Sequence, residues 1–184
     1  MKFCSQCGSE VSIKIPEGDN RHRHVCNNCN FIHYQNPRII CGCLPTWEGK
    51  VLLCKRAIEP RLGFWTLPAG FMENGETVQE GAARETLEEA EAKVNLGELY
   101  TVFNLPAINQ VYMFFLGEVV DGKFGVGEES LDSNLYEESE IPWDELAFPT
   151  ISQTLKHYFE DRKKNEFPVR VIDLKFNRPK NSRY

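Results

Sequence analysis

The segment from Gly70 to Ala92 constrains the fold of this chain more than any other, because it predicts a helix with a fixed starting point. Thr77, with Glu80 three residues later, is a capping-box start. From there to about Ala90 the residues are mostly helix formers. The sequence therefore predicts a helix that opens at Thr77, behind a loop that begins near Gly70.

Three glutamates on this helix are spaced so that their side chains lie together. Glu85, Glu88 and Glu89 stand at positions i, i+3 and i+4, so their carboxylates share one face. Like charges that close repel each other, and a hard divalent cation relieves the repulsion. Carboxylate oxygens suit Mg²⁺ or Mn²⁺, which also bind substrate phosphates. The spacing predicts a metal site facing a phosphate; the alternative is an amphipathic helix with a solvated acidic face.

A second pattern lies at the N-terminus, where two CxxC pairs are separated by eighteen residues. This spacing is typical of a structural Cys₄ zinc ribbon. A segment of about 34 residues cannot bury enough apolar surface to fold alone, so zinc would supply the missing stability. Disulfides are disfavoured in a cytosolic setting, and a redox role is disfavoured because the motif occurs twice. The predicted zinc ligands are Cys4, Cys7, Cys26 and Cys29.

The remaining cysteines and the histidines have no such pattern. Cys41, Cys43 and Cys54 lie in apolar strands and are interpreted as small core residues. Four cysteines already fill a zinc shell, so the histidines in or beside the ribbon are interpreted as exposed strand residues. These are His22, His24 and His33. His157, in a C-terminal helix, is interpreted as a residue without a chemical role.

Composition and charge limit the class of protein. The chain has 184 residues, of which 41% are hydrophobic and 26% charged, as in globular proteins. No apolar run approaches the roughly 20 residues that span a bilayer, and the first ten residues resemble neither a signal nor a transit peptide. We therefore expect no membrane association and a cytoplasmic location. A formal charge of −6 makes nucleic-acid binding an unfavoured function.

The segment from Gly70 resembles the Nudix box, G-x5-E-x7-R-E-U-x-E-E-x-G-U, in which U is a bulky aliphatic residue. Gly70, Glu76, Arg84 and the three glutamates of the helix occupy the corresponding positions. The departures are Thr86, Glu91 and Ala92. A glycine in place of Glu91 would end the helix in a left-handed conformation, which glutamate adopts less easily.

The resemblance implies metal-assisted hydrolysis of a pyrophosphate. Glu85, Glu88 and Glu89, with the carbonyl of Gly70, would hold Mg²⁺ or Mn²⁺. Glu76 and Arg84 would form an ion pair that positions the loop before the helix. Family members often use one further carboxylate from a loop before a late strand. Spacing favours Glu129 over Glu128 for that role, the alternative being that both are solvated.

The resemblance continues outside the box, over roughly residues 4 to 165, in the runs YQNPRIICGC, VLLCKRAIEPRLGFWTLPAGF and IPWDELAFPTI. They are similar to the zinc-ribbon Nudix hydrolases that cleave ADP-ribose and FAD, including the plastid FAD pyrophosphatases of plants. The NADH pyrophosphatases with a ribbon carry an SQPWPFPxS motif after the box. Here Leu105-Pro106-Ala107 lies in that region, so NADH and NAD-capped RNA are less favoured substrates.

Strand and helix signals predict an α/β fold, and the resemblance implies the Nudix α/β/α sandwich with a mixed sheet. The predicted domains are a zinc ribbon (1–35), a hydrolase domain (36–165) and a C-terminal tail (166–184). Predicted strands span 11–15, 21–25, 38–45, 51–57, 64–68, 96–104, 110–119, 131–137 and 168–174, and the last helix spans 151–164. The residues after the last strand are basic and predicted to be loose.

Substrate groups need cationic and aromatic partners. Arg56 is the favoured phosphate-binding residue, with Lys55 and Arg61 as alternatives. Four aromatic residues could stack on a base or flavin, or lie in the core: Phe64, Tyr100, Phe103 and Tyr112. Alternation along 110–116 puts Tyr112 on one face with Phe114 and leaves open which face lines the cleft.

The sequence is compatible with two classes of function. One is a metal-dependent pyrophosphatase acting on a small-molecule nucleotide. The other is a nucleotide-sensing module whose ribbon binds a nucleic acid or protein partner. The complete set of box carboxylates favours the enzyme, and residues 1–34 lack a basic patch, with four Lys/Arg against three Asp/Glu. A homodimer is possible, since Nudix enzymes often dimerise.

Overall fold

The computed structural model describes residues 1–175, which form two compact units, one from Met1 to Pro37 and one that begins at Arg38. No helix within 1–175 is long and apolar enough to cross a membrane. The predicted loose end of the tail, residues 176–184, lies outside the described residues.

The first unit is a small antiparallel sheet with strand order β1-β2-β3. Its strands are β1 (Val11–Lys14), β2 (Arg23–Cys26) and β3 (Ile32–His33). The second strand begins two residues later than the sequence predicts, at Arg23 instead of Arg21. The reason is Asp19, whose carboxylate accepts hydrogen bonds from the backbone of Arg21 at 3.1 Å and from the side chain of Arg23 at 2.9 Å. These bonds hold the residues before β2 in a loop.

The second unit is built on one mixed sheet with the strand order β10-β5-β4-β9-β8-β11. β4 pairs with β9 and β11 pairs with β8 in parallel, and the other pairs are antiparallel. The short strands β6 and β7 pair with β5 and β4. The bounds are β4 (Arg38–Trp47), β5 (Lys50–Arg56), β6 (Trp65–Thr66), β7 (Ala69–Phe71), β8 (Val94–Leu105), β9 (Gln110–Val119), β10 (Ser130–Tyr136) and β11 (Arg170–Asp173).

Within residues 38–175 two α-helices, α1 (Val78–Ala90) and α2 (Pro149–Arg162), pack on opposite faces of the sheet. Successive residues of β9 show this, because side chains alternate between the faces of a strand. Phe114 belongs to the core cluster that contains Ile151 of α2, whereas Phe115 belongs to the cluster that contains Ala82 of α1. The predicted α/β sandwich with a mixed sheet is confirmed.

The cysteines and two of the aromatic residues of the central strands lie in the core. Cys41, Cys43 and Cys54 are fully buried, as expected of core residues. Tyr100 and Phe103 are also fully buried, so of the two interpretations left open by the sequence they follow the core interpretation. Both faces of the sheet are covered by helices, and apolar periodicity alone does not say which side chains remain accessible.

The C-terminal residues of the described chain add a strand that the sequence predicts. β11 lies parallel to β8 at the edge of the sheet, with Arg170 opposite Thr101. Arg170 donates to the buried Asp161 of α2 at 2.7 Å, and Asp161 also accepts from the Tyr100 hydroxyl at 2.6 Å. This buried polar network joins β11, β8 and α2.

Candidate active site and zinc ribbon

The acidic helix α1 begins as its sequence predicts. Thr77 is the N-cap residue: its hydroxyl accepts from the backbone of Glu80 at 3.2 Å, and the Glu80 carboxylate accepts from the backbone of Thr77 at 2.7 Å. These reciprocal bonds satisfy two backbone N–H groups that the first turn of a helix leaves free. The capping box therefore fixes where the glutamates of α1 stand relative to the loop before it.

The end of α1 is made by a residue that the sequence marks as unsuited to it. Glu91 is the C-cap and adopts a left-handed conformation with φ 49° and ψ 22°. Glycine adopts this region without steric cost, whereas other L-residues pay for it. The helix stops at the position expected for the family glycine, and the strain is carried by glutamate.

The three glutamates of α1 differ sharply in exposure. Glu85 and Glu89 retain 9% and 6% of their accessible surface, whereas the side chain of Glu88 is 56% exposed. Burial, followed by the charge of Glu85, raises the pKa of Glu89 to about 8. Burial also raises the pKa of Glu85. Two buried carboxylates in contact with the same space favour a cation there.

Arg84 connects the loop before α1 to the helix itself. Its guanidinium donates to Glu76 at 2.8 Å and 3.0 Å, to Glu85 at 2.7 Å and to Glu88 at 2.9 Å. These bonds hold the pKa of Glu76 well below its usual range, at about 2. The ion pair expected between Glu76 and Arg84 is present. Glu85 and Glu88 both accept from the same nitrogen of Arg84, but within residues 1–175 the three carboxylates of α1 do not form a group with all ligand atoms within 4.8 Å.

Gly70 lies in β7, opposite Cys41 of β4, where the carboxylate of Glu85 packs directly against its α-carbon. A Cβ at this position would occupy the space of that carboxylate. The backbone of the neighbouring Ala69 donates to Glu89 at 3.3 Å. The absence of a side chain at residue 70 therefore allows the strand and the buried glutamates to approach each other.

The loop that holds Glu128 and Glu129 is attached to the C-terminal end of α1. Gly125 donates to the carbonyl of Ala90 at 2.6 Å and Gly127 donates to the carbonyl of Glu89 at 3.2 Å. The α-carbon of Gly127 packs so closely on the last turn that a Cβ would collide with its backbone. Both glutamates are exposed and line the same cavity as α1, and the charge of Glu129 contributes to the raised pKa of Glu85 and Glu89.

The glutamates border a cavity of about 960 Å³, a volume within the usual range for ligand sites. Mostly apolar residues from the end of β8, the segment after it, β9 and the start of α2 also line the cavity: Leu105, Ile108, Tyr112, Phe148, Pro149, Thr150 and Ile151. A second hollow, lined by Glu48, Gly49, Glu137, Glu138, Ser139 and Arg162, lies away from the box residues.

Among the predicted cationic residues, Arg56 lines the cavity. Its Nε donates to the carbonyl of Pro60 at 2.9 Å and its guanidinium lies 5.4 Å from the ring centre of Phe148. Lys55 and Arg61 instead lie over the rings of Trp65 and Phe64. The contacts of Arg56 hold the guanidinium at the cavity wall.

Of the two aromatic candidates outside the core, one lines the cavity and the other does not. Tyr112 lines the cavity and stacks on Phe114 at 6.3 Å, whereas Phe64 is not part of the described lining. Phe148 and Thr150, just before the predicted start of the last helix at residue 151, also line the cavity. No local signal distinguishes them from the N-terminus of any other helix.

The four ribbon cysteines form one compact site. Their sulfur atoms all lie within 4.8 Å of one another, and within residues 1–175 this is the one group of three or more His, Cys, Asp or Glu ligand atoms that close. The individual S···S distances include 3.4 Å for Cys7–Cys26 and 3.7 Å for Cys4–Cys29. Tetrahedral Zn–S bonds of roughly 2.3 Å place sulfurs roughly 3.8 Å apart. The donor set fits zinc, all four cysteines are free of disulfides, and the three ribbon histidines are outside the group.

Comparison with known families agrees with this geometry. A model described as Nudix N-terminal, a zinc ribbon, matches residues 2–35, and the NUDIX domain model matches residues 37–163. The chain therefore belongs to the Nudix hydrolase family. Within that family it has the arrangement in which an N-terminal zinc ribbon precedes the Nudix domain. The predicted domain limits at residues 35 and 165 stay predictions.

A crystal structure of a NUDIX hydrolase from Nitrosomonas europaea is 56% identical and covers 95% of this chain and 99% of that one, with a TM-score of 0.92. The chain is also 29% identical over 119 residues to a protein of Methanocaldococcus jannaschii named ADP-ribose pyrophosphatase, covering 62% of this chain and 69% of that protein. Identity to the NAD-capped RNA hydrolase NudC of Salmonella heidelberg is 29% over 143 residues, 77% of this chain and 53% of NudC. The chain thus spans about half the length of NudC.

Proposed function

We propose that this Nudix hydrolase cleaves the pyrophosphate of a nucleoside diphosphate linked to a second moiety, with FAD or ADP-ribose as substrate and AMP as one product. The observation that carries the proposal is the pair of buried carboxylates, Glu85 and Glu89, on the rim of a large cavity. A buried carboxylate pair is unstable without a cation, and a diphosphate brings divalent cations with it.

The residues of α1 and β7 fit a Mg²⁺ or Mn²⁺ site. Every donor is a hard oxygen: the carboxylates of Glu85, Glu88 and Glu89, and the carbonyl of Gly70. Bound there, the metal would neutralise charge on the diphosphate and make a bound water more acidic. Arg84 holds Glu85 and Glu88 in place, and Glu76 keeps Arg84 fixed. Glu76 and Arg84 are therefore assigned a positioning role.

We assign the general base to Glu129, which would take a proton from the attacking water. The exposed Glu129 shares the cavity with Glu85 and Glu89, and its charge acts on both. Glu128 lines the cavity too but does not contribute in this way to either pKa. Arg56 would hold a phosphate oxygen, since its position at the wall is fixed by Pro60 and Phe148.

The choice of ADP-ribose or FAD as substrate has two supports, which are the name of one relative and the resemblance outside the box. The relative from Methanocaldococcus is named for ADP-ribose, and the runs outside the box resemble enzymes that also cleave FAD. A second candidate is cleavage of NADH or NAD-linked substrates, which the 77% coverage by NudC favours. The segment Leu105-Pro106-Ala107, where the NADH enzymes carry SQPWPFPxS, makes it the weaker candidate.

Product analysis by mass spectrometry tests the proposal. The protein is incubated with Mg²⁺ and, separately, with FAD, ADP-ribose, NADH or NAD⁺. AMP released from FAD or ADP-ribose, absent in Glu88→Gln and retained in Glu118→Gln, would support it. Glu118 is a matched control, since it is also an exposed glutamate but lies in β9 outside the cavity lining. No AMP from any substrate, with Mn²⁺ also tried, would refute dinucleotide cleavage and direct attention to nucleotide sensing.

A further inference from the structure

Thr150 lines the cavity and carries a buried hydroxyl group without a hydrogen-bond partner among the described residues. The residue retains 1% of its accessible surface and lines the cavity, and its Oγ1 has no hydrogen-bond partner within residues 1–175. Burying a hydroxyl without a partner is unfavourable, and most buried polar groups in folded proteins are satisfied. Such a group in a ligand cavity is therefore a candidate for a bond that forms when the ligand is present.

The position of Thr150 in its helix explains why the hydroxyl is free. In a helix interior a threonine hydroxyl can donate to the carbonyl four residues earlier. Thr154 does so, since its Oγ1 donates to the carbonyl of Thr150 at 2.8 Å and lies 3.1 Å from the hydroxyl of Thr101. Thr150 is the second residue of α2, after Pro149, so no helical turn precedes it. Thr150 and Thr154 lie on one face of α2 and differ in their hydroxyl groups. The hydroxyl of Thr154 has hydrogen-bond partners, and that of Thr150 has none among the described residues.

The surroundings of Thr150 indicate what kind of group could bond to it. The adjacent lining is apolar and aromatic, with Leu105, Tyr112, Phe148 and Ile151. A planar ring fits such a wall, whereas a sugar alone would need several polar partners. Thr150 lies in the first turn of α2, at the positive end of the helix dipole, which favours an electronegative acceptor. A heterocycle that bears a carbonyl oxygen meets both conditions.

We propose that the Thr150 hydroxyl is a specificity-determining donor to a carbonyl of a heterocyclic ring in the moiety beyond the pyrophosphate. The inference rests on the proposed function, because it assigns one half of that substrate to this wall. A flavin has such carbonyls, whereas ADP-ribose carries only a ribose in that half. The hydroxyl would then favour FAD over ADP-ribose.

Binding of FMN, followed by flavin fluorescence without added metal, tests the inference independently of turnover. Thr150→Val should weaken FMN binding on the order of tenfold, the value of one hydrogen bond to a buried partner, and Thr150→Ser should restore it. With FAD as substrate, the same variant should raise KM by a similar factor and leave kcat and the KM for ADP-ribose unchanged. Absence of FMN binding by the wild-type protein, or equal losses for FAD and ADP-ribose, would overturn the inference.

Thermal unfolding separates this role from a structural one, with Thr154→Val as the matched control. Thr150→Val removes an unsatisfied hydroxyl, so its Tm should equal or exceed that of the wild-type protein. Thr154→Val removes a satisfied hydroxyl, so its Tm should fall while FMN binding is unchanged. Equal losses of Tm in both variants would show that Thr150 already has a structural partner, against the inference. If wild-type protein binds FMN but cleaves neither FAD nor ADP-ribose, the proposed function fails and the subsite stands.

Discussion

The ribbon and the α/β domain reach a stable fold by different means. Within residues 1–37 the buried apolar residues are Cys4, Val25 and Cys26, so two of these three are predicted zinc ligands. The α/β domain buries large side chains on both faces of its sheet, among them Phe114 and Phe159. We therefore expect zinc to replace the hydrophobic core in the first unit, whereas the second unit has a core of its own and would use a metal only at its carboxylates.

The largest expected effect concerns the ribbon. Cys26→Ser removes a buried ligand, so the ribbon should lose its zinc and, with it, on the order of 10 kcal/mol of folding free energy. Native mass spectrometry should show loss of the metal, and hydrogen exchange should show loss of protection in β1–β3 alone. Cys54→Ala, a change to a buried core cysteine of the other unit, should retain zinc. If the ribbon keeps its exchange protection without metal, its fold does not depend on zinc, and the proposed difference between the two units is refuted.

A smaller effect is expected from Glu89 in the α/β domain. Replacing its buried carboxylate should stabilise the folded protein and lower the activity. In the metal-free protein the pKa of Glu89 is raised to about 8, whereas an unfolded glutamate titrates near 4.3. Between these pH values the folded state holds a proton that the unfolded chain has released. The free energy of unfolding should therefore decrease as pH rises from about 5 to 8, by on the order of a few kcal/mol.

Glu89→Gln should reduce this pH dependence to the part that Glu85 contributes, and should lower turnover at least about a hundredfold. Denaturant unfolding of both proteins across this pH range, with the metal removed, measures the first effect. Matching pH profiles in the two proteins would show that Glu89 is ionised in the folded state throughout.

The smallest effect concerns the strained end of α1. Glu91→Gly should relieve the left-handed conformation and stabilise the protein by about 1 kcal/mol, or about 2–4 °C in Tm. Glu118→Gly, at an exposed position in β9 with ordinary backbone angles, should lower Tm instead. Calorimetry of both variants gives the comparison, and a decrease in Tm for Glu91→Gly would mean that the glutamate side chain stabilises its turn.

The features that the sequence predicts correctly depend on residues that are close together in the chain. The capping box and the CxxC pairs act over a few residues, and the structure shows α1 and the cysteine cluster where they were expected. β7 was not predicted, because Ala69-Gly70-Phe71 lacks alternation and is a strand only through its pairing with β4. The sequence leaves Tyr100 and Phe103 open between core and ligand contact, and the fold decides for the core because helices cover both faces of their strand. The free hydroxyl of Thr150 depends on the tertiary fold and has no sequence signature.

The 125–129 loop is fixed to α1 by bonds of its own main chain. Gly125 and Gly127 bind helix carbonyls through their own backbone, and the space beside Gly127 admits no side chain. The location of Glu129 is therefore specified by main-chain contacts that mutation of side chains around it leaves intact. The side chains at residues 128 and 129 can therefore be substituted without moving their backbone. A single added methyl group at residue 127 would instead displace both residues.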